Sequence, residues 1–235
     1  MASALGPCVL EGRHVRLEPL ETAHAGELLE AAQNSVWTWM QMDARTPESM
    51  GRWIETALKA QERGAEYPFT VFRLRDRRVL GSTRYMDVRP AQRGAEIGGT
   101  WYDSVVWGTV VNPECKFLLL RHAFEEWNAV RVQLKTDSNN LHSQRAILKL
   151  GARFEGRLRN HRVRQDGTPG DTMMYSITDA EWKESVKASL SSRIADSNPS
   201  QRFQGGSARY RLSLGRQSRE SGPGPAVSEN SSNNS

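Results

Sequence analysis

Residues 96–116 read EIGGTWYDSVVWGTVVNPECK. β-Branched and aromatic residues at the start predict a strand over 95–102, and a short loop follows. Phe117, Leu120, Phe124 and Trp127 then recur at helical spacing beside Leu118, Leu119 and Ala123, which predicts a buried helix over 113–127. A loop that feeds a helix N-terminus leaves backbone N–H groups without partners at the positive end of the helix dipole. Such a place is an anion site, and in cofactor enzymes its usual occupant is a pyrophosphate. The same spacing also fits an ordinary strand–helix connection, with Asn112 as cap and Pro113 at the first helical position. Spacing alone leaves both readings open.

Working outward, strands and helices alternate. Towards the N-terminus the pattern predicts a strand over 15–20, a helix over 23–32, and a second helix opened by Thr46-Pro47-Glu48 that runs through Trp53, Ile54 and Leu58. Strands over 68–74 and 79–88 follow, joined by the turn Arg75-Asp76-Arg77-Arg78. Beyond the central helix come a strand over 130–136, a helix over 140–150 closed by Gly151, and a hairpin of 154–164 with 171–177. Thr178-Asp179-Ala180-Glu181 is a capping box opening a last helix to about residue 190. The order βααβββαβαββα predicts an α/β domain with a central mixed sheet.

Residues 191–235 hold twelve serines, six arginines and three acids, with few large apolar side chains. Such a segment buries too little surface to offset its ordering entropy, so it is expected to be a disordered tail. The whole chain carries a net charge of +5, and most of it lies there. A nucleic-acid partner is therefore not implied by the charge of the folded part, and the tail offers only Phe203 and Tyr210 for stacking. No run is long and apolar enough to span a membrane, and Cys8 and Cys115 lack metal-type spacing, so a cytoplasmic protein is expected. The five histidines show no zinc pattern, and no metal is expected.

The order of elements, the strand EIGGTW, the loop WGTVVN, the helix PECKFLLLRHAFEEW and the run VRVQLKTDSNNLHSQRAILKLGARFEGRLR together resemble the GNAT N-acetyltransferases. Within them the match is closest to the ribosomal-protein alanine acetyltransferase (RimJ/RimL-like) branch, over roughly residues 8–190. The resemblance implies a GNAT fold over 1–190, with a mostly antiparallel mixed sheet flanked by helices. It further implies acetyl-CoA as co-substrate and direct attack by a primary amine, either a protein N-terminal α-amine or a small molecule. It admits a homodimer. A catalytically silent module that binds CoA or a protein partner is the alternative.

Carried onto this chain, the family's pyrophosphate loop falls on Trp107, Gly108, Thr109, Val110, Val111 and Asn112. Trp107 stands for the usual Gln or Arg, Val110 for the central glycine and Asn112 for the last small residue. Valine restricts dihedrals that glycine admits, so Val110→Gly is expected to tighten CoA binding. Asn140 and Ser143 match the pair beside the pantetheine arm. Ile147 stands where many relatives place a tyrosine acid, which leaves Ser143, a water or solvent to protonate the thiolate. Glu96 is the candidate base, with Asp103 behind it. Arg157, Arg159, His161, Arg162 and Arg164 form a basic strand able to meet a phosphate or to face solvent, and Trp37, Trp39 and Trp53 suit either an acceptor site or the core.

Overall fold

The computed structural model describes residues 5–33 and 37–197. The remainder of the expected tail, 198–235, lies outside the described residues. Among those described, eight strands form one sheet in the order β1-β2-β3-β4-β5-β6-β8-β7. They are β1 Leu10–Glu11, β2 Val15–Pro19, β3 Tyr67–Arg73, β4 Val79–Arg89, β5 Gly94–Tyr102, β6 Arg131–Asp137, β7 Arg153–Val163 and β8 Pro169–Thr178. Each neighbouring pair is antiparallel except β5 with β6, which is parallel. The two-residue β1 was not legible as a strand.

The helices cover both faces. α1 (Ala25–Ala32) and α2 (Pro47–Glu62) lie on one, where Leu28, Trp53, Ile54, Phe72 and Trp101 share a core with Trp37. α3 (Val111–Arg121) and the final helical stretch lie on the other, where Leu118, Leu119, Tyr85, Ile97 and Trp182 pack together. Successive strand residues supply the two cores: Trp101 enters the first and Tyr102 the second, as the pleat requires. Trp37 and Trp53 both pack against Trp101, with ring centroids 5.0 and 5.8 Å away, so these two tryptophans are core.

Local chemistry explains the ends of the helices. Thr46 caps α2, its Oγ1 accepting from the Ser49 N–H at 3.2 Å, with Pro47 in the first turn. α4 (Leu141–Lys149) is capped by Asn140 and exits through Gly151 at φ +93°. After β8 the chain makes a helical turn, α5 (Asp179–Glu181), a π turn at Trp182–Val186, and α6 (Lys187–Ala195). α6 therefore runs five residues past the expected end, because Leu190 and Ile194 are both buried.

Two further expectations are corrected. α3 begins at Val111, not Pro113, which puts Asn112 inside the first turn and leaves Val110 as the N-cap without a side-chain bond. It also gives way at His122–Glu126 to a π turn in place of regular helix as far as Trp127.

Candidate active site

β5 and β6 share three register pairs, Gly94 with Arg131, Ala95 with Val132 and Glu96 with Gln133. Beyond these the strands continue to Tyr102 and Asp137 without pairing to each other. A bulge opens them: between the pairs Ser82–Trp101 and Arg84–Gly98, Gly99 and Thr100 oppose Thr83 alone. Gly99 takes φ +55°, and a Cβ there would meet the Arg84 side chain at 2.7 Å. A bulge bends its strand and sharpens the local twist, so β5 turns away from β6 at the diglycine. Lys116, buried on α3, fastens the bulge by donating to Thr100 Oγ1 (2.5 Å) and Thr83 Oγ1 (3.1 Å). Burial pushes the Lys116 ammonium down to about 8, against a smaller opposing effect of Cys115.

Both strands end in loops that feed helix N-termini, the usual place for ligands outside the carboxyl ends of parallel strands. After β5, Asp103 Oδ1 accepts from the Val105 N–H (3.1 Å) and Oδ2 from Arg78 (2.8 Å). Asp103 is thus a loop cap held by an arginine, and it does not stand behind Glu96 as a second base. Trp107 donates its indole N–H to the Tyr102 carbonyl at 3.1 Å while its ring stays 44 % exposed. Gly108 follows at φ +71° with open space where a side chain would be. Thr109 Oγ1 donates to the Val106 carbonyl (2.6 Å) and accepts from the Val111 N–H (3.3 Å).

The N–H groups of Gly108, Val110 and Asn112 have no partner among the described residues. Val110 sits at φ −68°, ψ −15°, where valine is at ease; the left-handed residue of the loop is Gly108. The dihedral reason for expecting a gain from Val110→Gly therefore does not hold. Glu114 anchors the first turn of α3 by accepting from the backbone N–H groups of Arg13 and His14, the latter at 3.1 Å. Burial pushes the Glu114 carboxyl up, against these donors.

Across the opening, Asn140 Oδ1 accepts from the Ser143 N–H at 3.1 Å, so its side-chain carbonyl is spent on capping α4. The His142 and Trp107 rings lie 6.1 Å apart, which brings the two helix N-termini to one mouth. Ile147 is buried in the core and offers no proton.

On the sheet face of α1 and α2, Glu96 is 1 % exposed, its Oε2 2.9 Å from Lys135 Nζ and 3.3 Å from Gln133 Nε2. The basic strand is largely neutralised: Arg157 pairs with Asp171, and Arg164 with Asp137 at 2.8 Å. Arg162 donates to the Trp39 carbonyl at 3.1 Å, and Gln165 to the carbonyls of Trp37 and Met40, both at 2.8 Å, so the β7–β8 hairpin closes on the α1–α2 connection. Lys116, Lys135 and the bulge at Gly99 were missed in the sequence. Their signals were a lysine four residues after Asn112 on an apolar helix and a Gly-Gly inside a strand.

Residues 14–153 match the family model of the acetyltransferase (GNAT) domain. The chain is 27 % identical over 176 residues to the probable N-acetyltransferase YjcK of Bacillus subtilis (strain 168), covering 72 % of this chain and 96 % of that protein. Its structure resembles that of a GCN5-related N-acetyltransferase from Brucella melitensis, with TM-score 0.76 and 28 % identity over 83 % of this chain and 89 % of the other. It shares the fold of Mycobacterium smegmatis RimJ, solved in complex with CoA-disulfide, at TM-score 0.69 and 19 % identity, covering 80 % and 95 % of the two chains.

Proposed function

The chain belongs to the GNAT acetyltransferase family and is an acyltransferase, and on that premise we propose that it carries acetyl from acetyl-CoA to a primary amine by direct attack in a ternary complex. The observation that carries this reading is the divergence of β5 from β6 into two helix N-termini, with three free N–H groups on the first. Those groups suit a pyrophosphate, and the open face of Gly108 leaves room for it. The Trp107–Asn112 loop would hold the pyrophosphate, and the start of α4 with Asn140 and Ser143 would flank the pantetheine arm. When bound there, acetyl-CoA supplies the activated acyl group as a thioester.

Glu96 is assigned as the base. It is buried at the divergence on the face opposite α3, so an amine arriving from the α1–α2 side meets a carboxylate before the acyl donor. Lys135 keeps the carboxylate oriented at 2.9 Å and balances its charge before the proton is taken up. Ser143 or a water is assigned the return of a proton to the thiolate. The acceptor is a protein N-terminal α-amine or a small-molecule amine, and the chain is assigned to the RimJ/RimL-like branch. The folded unit is assigned to residues 1–190 with the last turns of α6, and the following sequence takes no part in the chemistry. No helix among the described residues is long and apolar enough to cross a membrane, which fits the assignment to the cytoplasm.

The test is release of free thiol from acetyl-CoA with a panel of amines. Amine-dependent release is expected, with Glu96→Gln lowering kcat about 100-fold. Absence of release with every amine would end the enzymatic reading, and unchanged kcat in the variant would remove Glu96 from it.

A further inference from the structure

Arg84 on β4 is the polar side chain left furthest from balance. Its side chain is 9 % exposed and makes one ion pair, Nη1 to Glu66 Oε2 at 2.8 Å. The guanidinium carbon stacks 4.7 Å over the Trp53 ring. Nε and Nη2 are buried and have no hydrogen-bond partner among the described residues. Leaving buried donors on a charged group unmet carries the full cost of their desolvation, so a native fold keeps such a group where something else satisfies it.

The place of those donors points to the satisfier. Arg84 is paired with Gly98 across the ladder, and a Cβ on Gly99 would stand 2.7 Å from Arg84 Nε. A Cβ on Gly98 would stand 2.8 Å from Glu96 Oε1. The carboxylate and the guanidinium thus pack against two successive glycines, where a side chain would displace them, and this brings both groups to one stretch of β5. Arg84 donates only, in a planar fork that suits carbonyl or carboxylate oxygen.

We propose that Arg84 is a specificity-determining residue: its Nε and Nη2 receive the carbonyl oxygen next to the acceptor amine, while Glu96 receives that amine. The inference rests on the amine-acceptor reading above and narrows it to α-amines of amino-acid derivatives and peptides. In such acceptors two bonds separate nitrogen from carbonyl carbon, so one small group presents both the amine and an oxygen acceptor. Simple alkylamines present only the amine. A site built to bond a polar group discriminates strongly against the analogue that lacks it, because its donors are then left bare.

The experiment compares alaninamide with isopropylamine, which differ in the carbonyl group, in the full chain and in Arg84→Met and Arg84→Lys. The ratio of kcat/KM for the two amines is expected to fall by about tenfold or more in Arg84→Met, through loss of alaninamide turnover and not of isopropylamine turnover. Arg84→Lys keeps a charge for Glu66 without the fork, shows the same fall, and decides the question if the methionine variant does not fold. An unchanged ratio overturns the proposal and leaves the two donors to a structural water.

A binding measurement needs no turnover. N-Acetylalaninamide titrated calorimetrically into the protein with CoA is expected to bind about tenfold more weakly to either variant than to the unmodified chain. Equal affinity, or no binding to the unmodified chain, overturns the proposal. Failure of every amine in the thiol assay, with this binding difference intact, would instead sink the catalytic reading and keep Arg84 as a carbonyl anchor.

Discussion

Gly99 and Gly108 each adopt a positive φ, and each does something a larger residue would undo. At Gly99 a methyl group would collide with Arg84 and close the bulge, whereas at Gly108 space is open and only the backbone objects. Gly108→Ala therefore costs about 1–2 kcal/mol of loop stability and is expected to raise the KM for acetyl-CoA several-fold in steady-state kinetics. Val110 already sits in the helical region, so Val110→Gly gives no tightening of CoA in calorimetry; a clear gain would mean that the loop takes another path when loaded. Lys116 makes a prediction in pH. With its ammonium pushed to about 8 by burial and its unfolded value at 10.5, the unfolded chain holds the extra proton between those limits. Stability from this group then rises as pH climbs through that window and is lowered in full below it. Urea unfolding of Lys116→Met and the parent should show a stability difference that shifts by on the order of 3 kcal/mol, in the parent's favour, between pH 7 and pH 11. A constant difference would show that the lysine is not buried as described.

At the scale of elements, β6 is bound to the β7–β8 hairpin through Asp137, which is fully buried. Burial alone would raise its carboxyl, but Arg164, the Asn139 N–H and Arg162 together hold it below its ordinary value. Asp137→Asn strips the partner from these arginines, and breaking a buried pair costs about 3 kcal/mol or more. The expected readout is a lower urea midpoint, together with weaker closure of the hairpin on the Trp37–Met40 segment, seen as faster exchange of the Gln165 side-chain amide protons. The identity of nearly every element was legible because apolar periodicity, the Thr46 and Thr178 caps and the Gly151 exit are local signals. The start of α3 was misplaced because Asn112-Pro113 has the chemistry of a cap, yet Thr109 takes the capping bond from Val111. Glu96 was legible as an acid on β5, the strand that parts from β6. Its pairing with Lys135, and the demotion of Asp103 to a cap, depend on strand register and side-chain reach, which no spacing in the chain encodes.

For the whole molecule, the last helix was expected to end at about residue 190, and α6 continues to Ala195. Val186, Leu190 and Ile194 are buried, and burial of each such side chain is worth roughly 1.5–3 kcal/mol. A chain cut after Ser197 is expected to melt and to transfer acetyl as the full chain does, whereas a cut after Glu184 lowers Tm by more than 10 °C or prevents folding. Thermal melts of the two truncations decide the point, and equal melting would show that α6 is not part of the core. The diverging β5–β6 pair has one more consequence. Among the described residues, three register pairs and the adjoining bond from the Val130 N–H to the Arg93 carbonyl make up the short backbone seam between the β1–β5 and β6–β8 halves of the sheet. Each half is a run of sequence-near antiparallel neighbours, but the seam must wait for the long crossover through α3 to find its place. Joining the halves is then the late step of folding, and their parting the early step of unfolding. A ligand lodged in the opening would bridge them like a splint, so its occupancy should be felt in the lifetime of the native state as well as in the chemistry.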